Sequence, residues 1–124
     1  MERTFVMIGS ALMFLGVGAG AFGAHALSAY FERFPSLAGT YDTAVRYHVF
    51  HALALFAVAW FSTQTQSTLT TWSGWLIFVG VLIFSGSLYL LVATNVRWLG
   101  AITPIGGVAF LAGWACLFFA ALRS

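Results

Sequence analysis

The sequence contains no lysine, a single cysteine, two prolines and only eight charged side chains among its 124 residues. Each shortage excludes something. Charged residues make up 6% of the chain, against about 25% in a soluble domain, and 61% of it is apolar, so a water-soluble fold would lack the polar surface to cover itself. Five scattered arginines against three acids give a net charge of +2. That is no clustered basic face, and a nucleic-acid partner is excluded. One cysteine, Cys116 in an apolar run, excludes an internal disulfide and any paired-cysteine metal or redox motif, and reads as a small packing residue. A Ser-His-Asp pattern, paired inward carboxylates, a glycine-rich phosphate loop and an HExxH motif are also missing. Hydrolase, kinase and protease chemistry therefore has no residues to run on, and the chain reads as a non-enzyme.

What is present is uninterrupted apolar chain. Glu2, Arg3, Glu32, Arg33, Asp42, Arg46, Arg97 and Arg123 all lie at a terminus or beside a break in hydrophobicity. The uncharged runs between them cover residues 4–30, 47–61, 72–96 and 98–122. Crossing a hydrocarbon core of about 30 Å takes about 20 helical residues. The second run reaches that length once the preceding turn is included, with Arg46 snorkelling to the interface. Lipid offers no partner to backbone N–H and C=O groups, and the apolar–polar alternation of barrel strands is missing, so each run predicts a helix. The expected fold is an all-α membrane protein: one domain, a compact antiparallel bundle of four transmembrane helices over about residues 4–30, 43–61, 72–94 and 99–122. The lipid bilayer is its expected partner and the inner (plasma) membrane its expected location, with neither cofactor nor metal.

The segments 31–42, with Pro35 and Gly39, and 62–71 read as loops, and 95–97 as a tight turn. Trp60, Trp72, Trp75 and Trp98 flank these breaks, as amphipathic rings do at headgroup level. Ala24-His25-Ala26 imitates a signal-peptidase site, but the apolar stretch before it exceeds 20 residues. A signal-peptide core runs to about 7–15, so the stretch reads as a retained span. Four spans place both termini and 62–71 on one face, with Arg3 and Arg123. The other connections share the opposite face with Arg33, Arg46 and Arg97, a split too even for the positive-inside rule to assign an orientation.

Helices in lipid associate through close packing and interhelical hydrogen bonds, which favours small residues at contacts. Gly9, Gly16 and Gly23 recur every seven residues with Gly20 on the same face; Ser73, Gly80, Ser87 and Thr94 repeat likewise, as do Gly106, Gly113 and Ala120. A strict heptad period predicts long left-handed crossings, within the bundle or against another chain. Pro104 lies where a helix starts at least cost.

Ionisable residues in a bilayer are expensive and mark the place to look for function. His25, Tyr41, Asp42, Arg46, Tyr47, His48, His51, Ser85, Ser87, Tyr89 and Thr103 all fall toward one membrane face. Asp42 and Arg46 are spaced for an i,i+4 ion pair, and Asp42 suits the cap of a helix start. His48 and His51 project from one side of the second span. Three readings are open for the histidines: hydrogen bonding to Ser85, Ser87, Tyr89 or a carbonyl as glue between helices; a proton or solute pathway; or a metal or haem site joining His25 to His48 or His51.

Four ordered motifs carry a family resemblance: Gly20-Ala21-Phe22-Gly23-Ala24-His25-Ala26-Leu27, the stretch from Thr43 to Leu55 that reads TAVRYHVFHALAL, Phe84-Ser85-Gly86-Ser87-Leu88-Tyr89-Leu90-Leu91, and Thr103-Pro104-Ile105-Gly106-Gly107. Together they resemble the domain-of-unknown-function family 423, small bacterial inner-membrane proteins related to a eukaryotic transmembrane protein of similar size. The resemblance implies a four-helix inner-membrane protein and carries no settled activity. It puts His25 and His51 on histidines of the family's motifs. His48 stands where the resemblance implies Gln more often, which weighs against a required His48–His51 metal pair. Small size, short loops and small-residue stripes then lead to an accessory or assembly component of a larger membrane complex, or a homo-oligomer. The rival is a small transporter or channel for protons or a small solute.

Overall fold

The helix starts are set by proline, serine and chain geometry. The computed structural model describes residues 1–124. Its elements are α1 (Glu2–His25), α2 (Ser28–Arg33), α3 (Pro35–Ser62), α4 (Thr68–Thr94), a 3-10 turn (Arg97–Ala101) and α5 (Thr103–Arg123). Pro35 and Pro104 sit in the first turns of α3 and α5, where a missing N–H costs nothing. Ser67 caps α4 by accepting from the Leu69 N–H at 3.1 Å. At its far end Asn95 turns left-handed at φ 56°, its N–H closing on the Leu91 carbonyl at 2.6 Å.

Four expectations about helix ends and connections are corrected. Residues 31–42 are not a loop: α2 and the first turns of α3 occupy them, and Gly39 rides inside α3. The first span also ends earlier than expected, at His25 rather than residue 30. The cause is that polarity reports depth in the membrane rather than helicity. A helix of 28 residues such as α3 is about 42 Å long and overruns a hydrocarbon core of about 30 Å. Its surplus is the polar N-terminal end with Ser36, Thr40 and Asp42. For the same reason Asp42 does not cap the helix. It lies two turns inside α3, exposed, and pairs with Arg46 at 3.0 Å. The tract 62–71 likewise shrinks to a short connection, since Thr68 to Thr71 already belong to α4.

Four helices, α1, α3, α4 and α5, are long and apolar enough to cross a membrane. Their chain order makes them antiparallel neighbours. Over the most apolar 18-residue stretch of each span, 44% is buried in α3 and α4 against 22% in α1 and the last span, because α3 and α4 pack on each other and on one outer helix each. Side chains close the remaining gaps. Phe5 of α1 reaches Gly74 and Trp75 of α4, and Phe110 and Trp114 of α5 reach His51 of α3. The main core gathers Phe5, Leu12, Leu55, Val58, Ile77, Val81 and Phe110. A smaller one, Leu37, Leu91 and Val92, holds the inner face of α2 through Tyr30 and Phe31, and the joint to α3 through Phe34.

The seven-residue glycine spacing sets two interfaces. Along α1, a Cβ on Gly9 would stand 3.2 Å from the Ala52 carbonyl and one on Gly16 would stand 3.0 Å from Val49, while Tyr41 lies against Gly23 and Val45 against Gly20. Between α4 and α5 large faces small: Phe110 lies on Gly80, Phe84 on Gly106 and Ile77 on Gly113. Interdigitation of this kind lets two backbones approach closely enough for side chains to reach across to carbonyls.

Candidate polar site between the helices

Where α1 and α3 meet, the close approach allowed by glycine exposes helix carbonyls to side chains of α3. His48 Nε2 lies 2.7 Å from the Leu12 carbonyl, one helical turn before Gly16. One heptad further along, the Tyr41 hydroxyl donates to the Ala19 carbonyl, one turn before Gly23. The same device is used twice in register. A carbonyl has no proton to give, so His48 carries its hydrogen on Nε2, and Nδ1 accepts from the Tyr89 hydroxyl at 2.8 Å. One imidazole thereby joins α1, α3 and α4.

His51, three residues on, is fixed in the opposite tautomer. Its Nδ1 lies 2.8 Å from the Tyr47 carbonyl and must donate. Its Nε2 accepts from the Trp114 indole N–H of α5 at 3.0 Å. Phe110 stacks on the same ring, with centroids 3.6 Å apart and planes at 12°. Both histidines are buried, and every ring nitrogen has a partner inside the bundle.

Ser85 and Ser87 complete the set. Buried Ser85 donates to the Ala44 carbonyl at 2.7 Å, tying α4 to α3. Ser87 and Thr103 share a hydrogen bond of 2.6 Å between α4 and α5. Tyr30 of α2 donates to the Val92 carbonyl at 2.6 Å, near the end of α4, where helix carbonyls lose their own partners. The contacts of α1 with α3, α3 with α4 and α4 with α5 thus each carry at least one polar cross-link.

Of the residues singled out from the sequence, His48, His51, Ser85, Ser87, Tyr89 and Thr103 are brought into this network, and Tyr47 contributes its carbonyl and a ring packed on Phe84 at 4.7 Å. Asp42 and Arg46 stay outside it, as an exposed pair. His25 also lies apart, exposed at the end of α1 with Ser28 bonded to its carbonyl. No group of three or more His, Cys, Asp or Glu side chains stands together as a metal-ligand set. Sequence reasoning missed Trp114, Tyr30 and the carbonyls of Leu12 and Ala19. For Trp114 a signal existed. It sits midway along α5, too deep for the interfacial belt, and an indole N–H at that depth needs an acceptor.

Four apolar helices cross-linked by buried polar groups define a multi-pass helical membrane protein. The family model for the protein of unknown function DUF423 matches residues 19–107, and the chain belongs to that family. It is similar over nearly its whole length to the UPF0382 membrane protein SH2409 of Staphylococcus haemolyticus, at 42% identity over 122 residues, 98% of this chain and 97% of the relative. The UPF0382 membrane protein YwdK of Bacillus subtilis is 42% identical over 123 residues, 98% of each chain. The UPF0382 membrane protein SERP0230 of Staphylococcus epidermidis is 43% identical over 122 residues, 98% of this chain and 97% of the relative. No solved structure matches.

Proposed function

We propose that this protein is a non-enzymatic component of the plasma (inner) membrane that works by lateral association, as an accessory or assembly subunit of a larger membrane complex or as a homo-oligomer. The observation that carries this reading is the use made of the polar cluster. Both nitrogens of His48 and of His51 are taken up inside the bundle, three of the four by bonds to other helices and His51 Nδ1 by the Tyr47 carbonyl of its own helix, which leaves them nothing to offer a substrate or an ion. The surface left for recognition is the outside of the bundle. There α1, packed on one side only, exposes Phe14, Leu15, Val17 and Phe22 around Gly18, whose Cβ position is open space. An inner-membrane location fits helical spans, since outer-membrane spans are barrels.

Extraction from native membranes in a mild detergent, followed by mass measurement of the intact particle, tests the proposal. A fixed-ratio assembly with itself or with a partner is expected, and a strictly monomeric particle with nothing attached overturns it. One observation favours the rival pathway reading: the bonded series Tyr89, His48 and Leu12 begins beside a tyrosine-walled cavity. A proton or solute flux in liposomes that disappears in His48→Ala, the imidazole of that series, or in His51→Ala beside it would replace association with permeation.

A further inference from the structure

At the face that carries α2, a cavity of about 350 Å³ opens sideways between the end of α1 and the end of α4. Its walls are Phe22, Leu27, Tyr30, Tyr41, Tyr89 and Ala93, with Val92 at the back. This volume lies within the range of sites that hold a small ligand. Three tyrosines would ordinarily offer three hydroxyls. Here each hydroxyl is already spent, on the carbonyls of Val92 and Ala19 and on His48 Nδ1. What remains toward the cavity is ring and methyl surface. A polar occupant would lose its hydration there without replacement, whereas an aliphatic chain loses nothing.

The rim adds a charge. Four residues beyond Ala93, across the left-handed turn at Asn95, comes Arg97, exposed and outside the molecule's one salt bridge. The turn that carries it is anchored to the same small core as two of the cavity's tyrosines, since Leu99, Tyr30 and Tyr41 all pack against the cluster of Leu37, Leu91 and Val92. Exposed Trp98 follows at the level where indoles meet headgroups. An apolar slot reached from the lipid side, with an unpaired guanidinium at its headgroup end, matches an amphiphile that has a hydrocarbon tail and an anionic head. We infer that this cavity is a binding site for one anionic phospholipid, with an acyl chain lying among Tyr30, Tyr41 and Tyr89 and the phosphate facing Arg97. The inference is independent of whether the protein works by association.

The test uses the full-length protein reconstituted in vesicles of equal parts phosphatidylglycerol and phosphatidylcholine, re-extracted, and weighed by native mass spectrometry. One retained phospholipid per chain is expected, with phosphatidylglycerol enriched about fivefold, the worth of one arginine at an anionic surface. Ala93→Phe, which fills the cavity from an exposed position, should abolish retention of both lipids at an unchanged melting temperature. Arg97→Gln should keep one lipid bound and bring the enrichment back to equal amounts. Absence of retained lipid in the unaltered protein, undiminished retention in a folded Ala93→Phe protein, or an enrichment indifferent to Arg97→Gln would each overturn the inference.

Discussion

Replacing His48 by Leu and by Gln separates a structural histidine from a working one. The imidazole makes two interhelical bonds, to Leu12 at 2.7 Å and to Tyr89 at 2.8 Å. In membranes such bonds are worth about 0.6 kcal/mol each, with a ceiling near 1.7. Leu removes both and strands the Tyr89 hydroxyl, which adds about 1 kcal/mol or more for a polar group left without a partner. His48→Leu should therefore cost about 2–3 kcal/mol. Gln offers a donor NH2 and an acceptor carbonyl in place of the donor and acceptor nitrogens of neutral imidazole, so His48→Gln should cost less than about 1 kcal/mol. Equilibrium unfolding in mixed detergent micelles reads both values. A cycle combining His48→Leu with Tyr89→Phe should return a coupling of about 0.6–1.7 kcal/mol. If Gln is as damaging as Leu, or the coupling is zero, the bonds seen here do not hold the helices and the reasoning fails.

Leu at Gly16 or Gly80 should destabilise the bundle by about 1–3 kcal/mol, since an added Cβ would already stand 3.0 Å from Val49 or 2.5 Å from Phe110. Gly18→Leu, in open space, is the control, and equal melting of all three variants would show that the stripes do not pack. Trp114→Phe removes the donor to His51 Nε2 and should cost about 1 kcal/mol, with loss of any fluorescence change on perturbing His51; an unaffected melting curve would contradict the α3–α5 link. Asp42→Asn breaks an ion pair whose partners are 66% and 63% exposed and should shift stability by less than about 0.5 kcal/mol. A larger loss would mean that the pair is shielded from water in the membrane.

The number of spans and their small-residue faces were legible because lipid imposes a single rule, that a backbone must bond to itself, and because glycine at heptad spacing has few other uses in an apolar run. Helix ends were less legible. Pro35, Gly39 and Asp42 look like loop residues only if polarity is equated with irregular backbone, and α3 keeps its helix while leaving the hydrocarbon. The network was half legible. Side-chain donors such as His48, His51 and Ser85 stand out in an apolar sequence, but their acceptors are largely main-chain carbonyls, which every residue has and no sequence marks. Leu12 and Ala19 become acceptors only because the glycine one turn later lets α3 come near. Trp114 was legible only by its depth midway along α5, which leaves its indole N–H in need of an acceptor, and nothing in the sequence marks that acceptor as His51.

The proton positions on the two imidazoles report most directly on whether these side chains are committed to the bundle. Nitrogen-15 NMR of histidine-labelled protein in lipid at neutral pH should show His48 protonated on Nε2 alone and His51 on Nδ1 alone, both protected from exchange with water. Rapidly exchanging, doubly protonated or tautomerically mixed rings at these two positions would contradict the account and return them to the list of groups available for transport or catalysis.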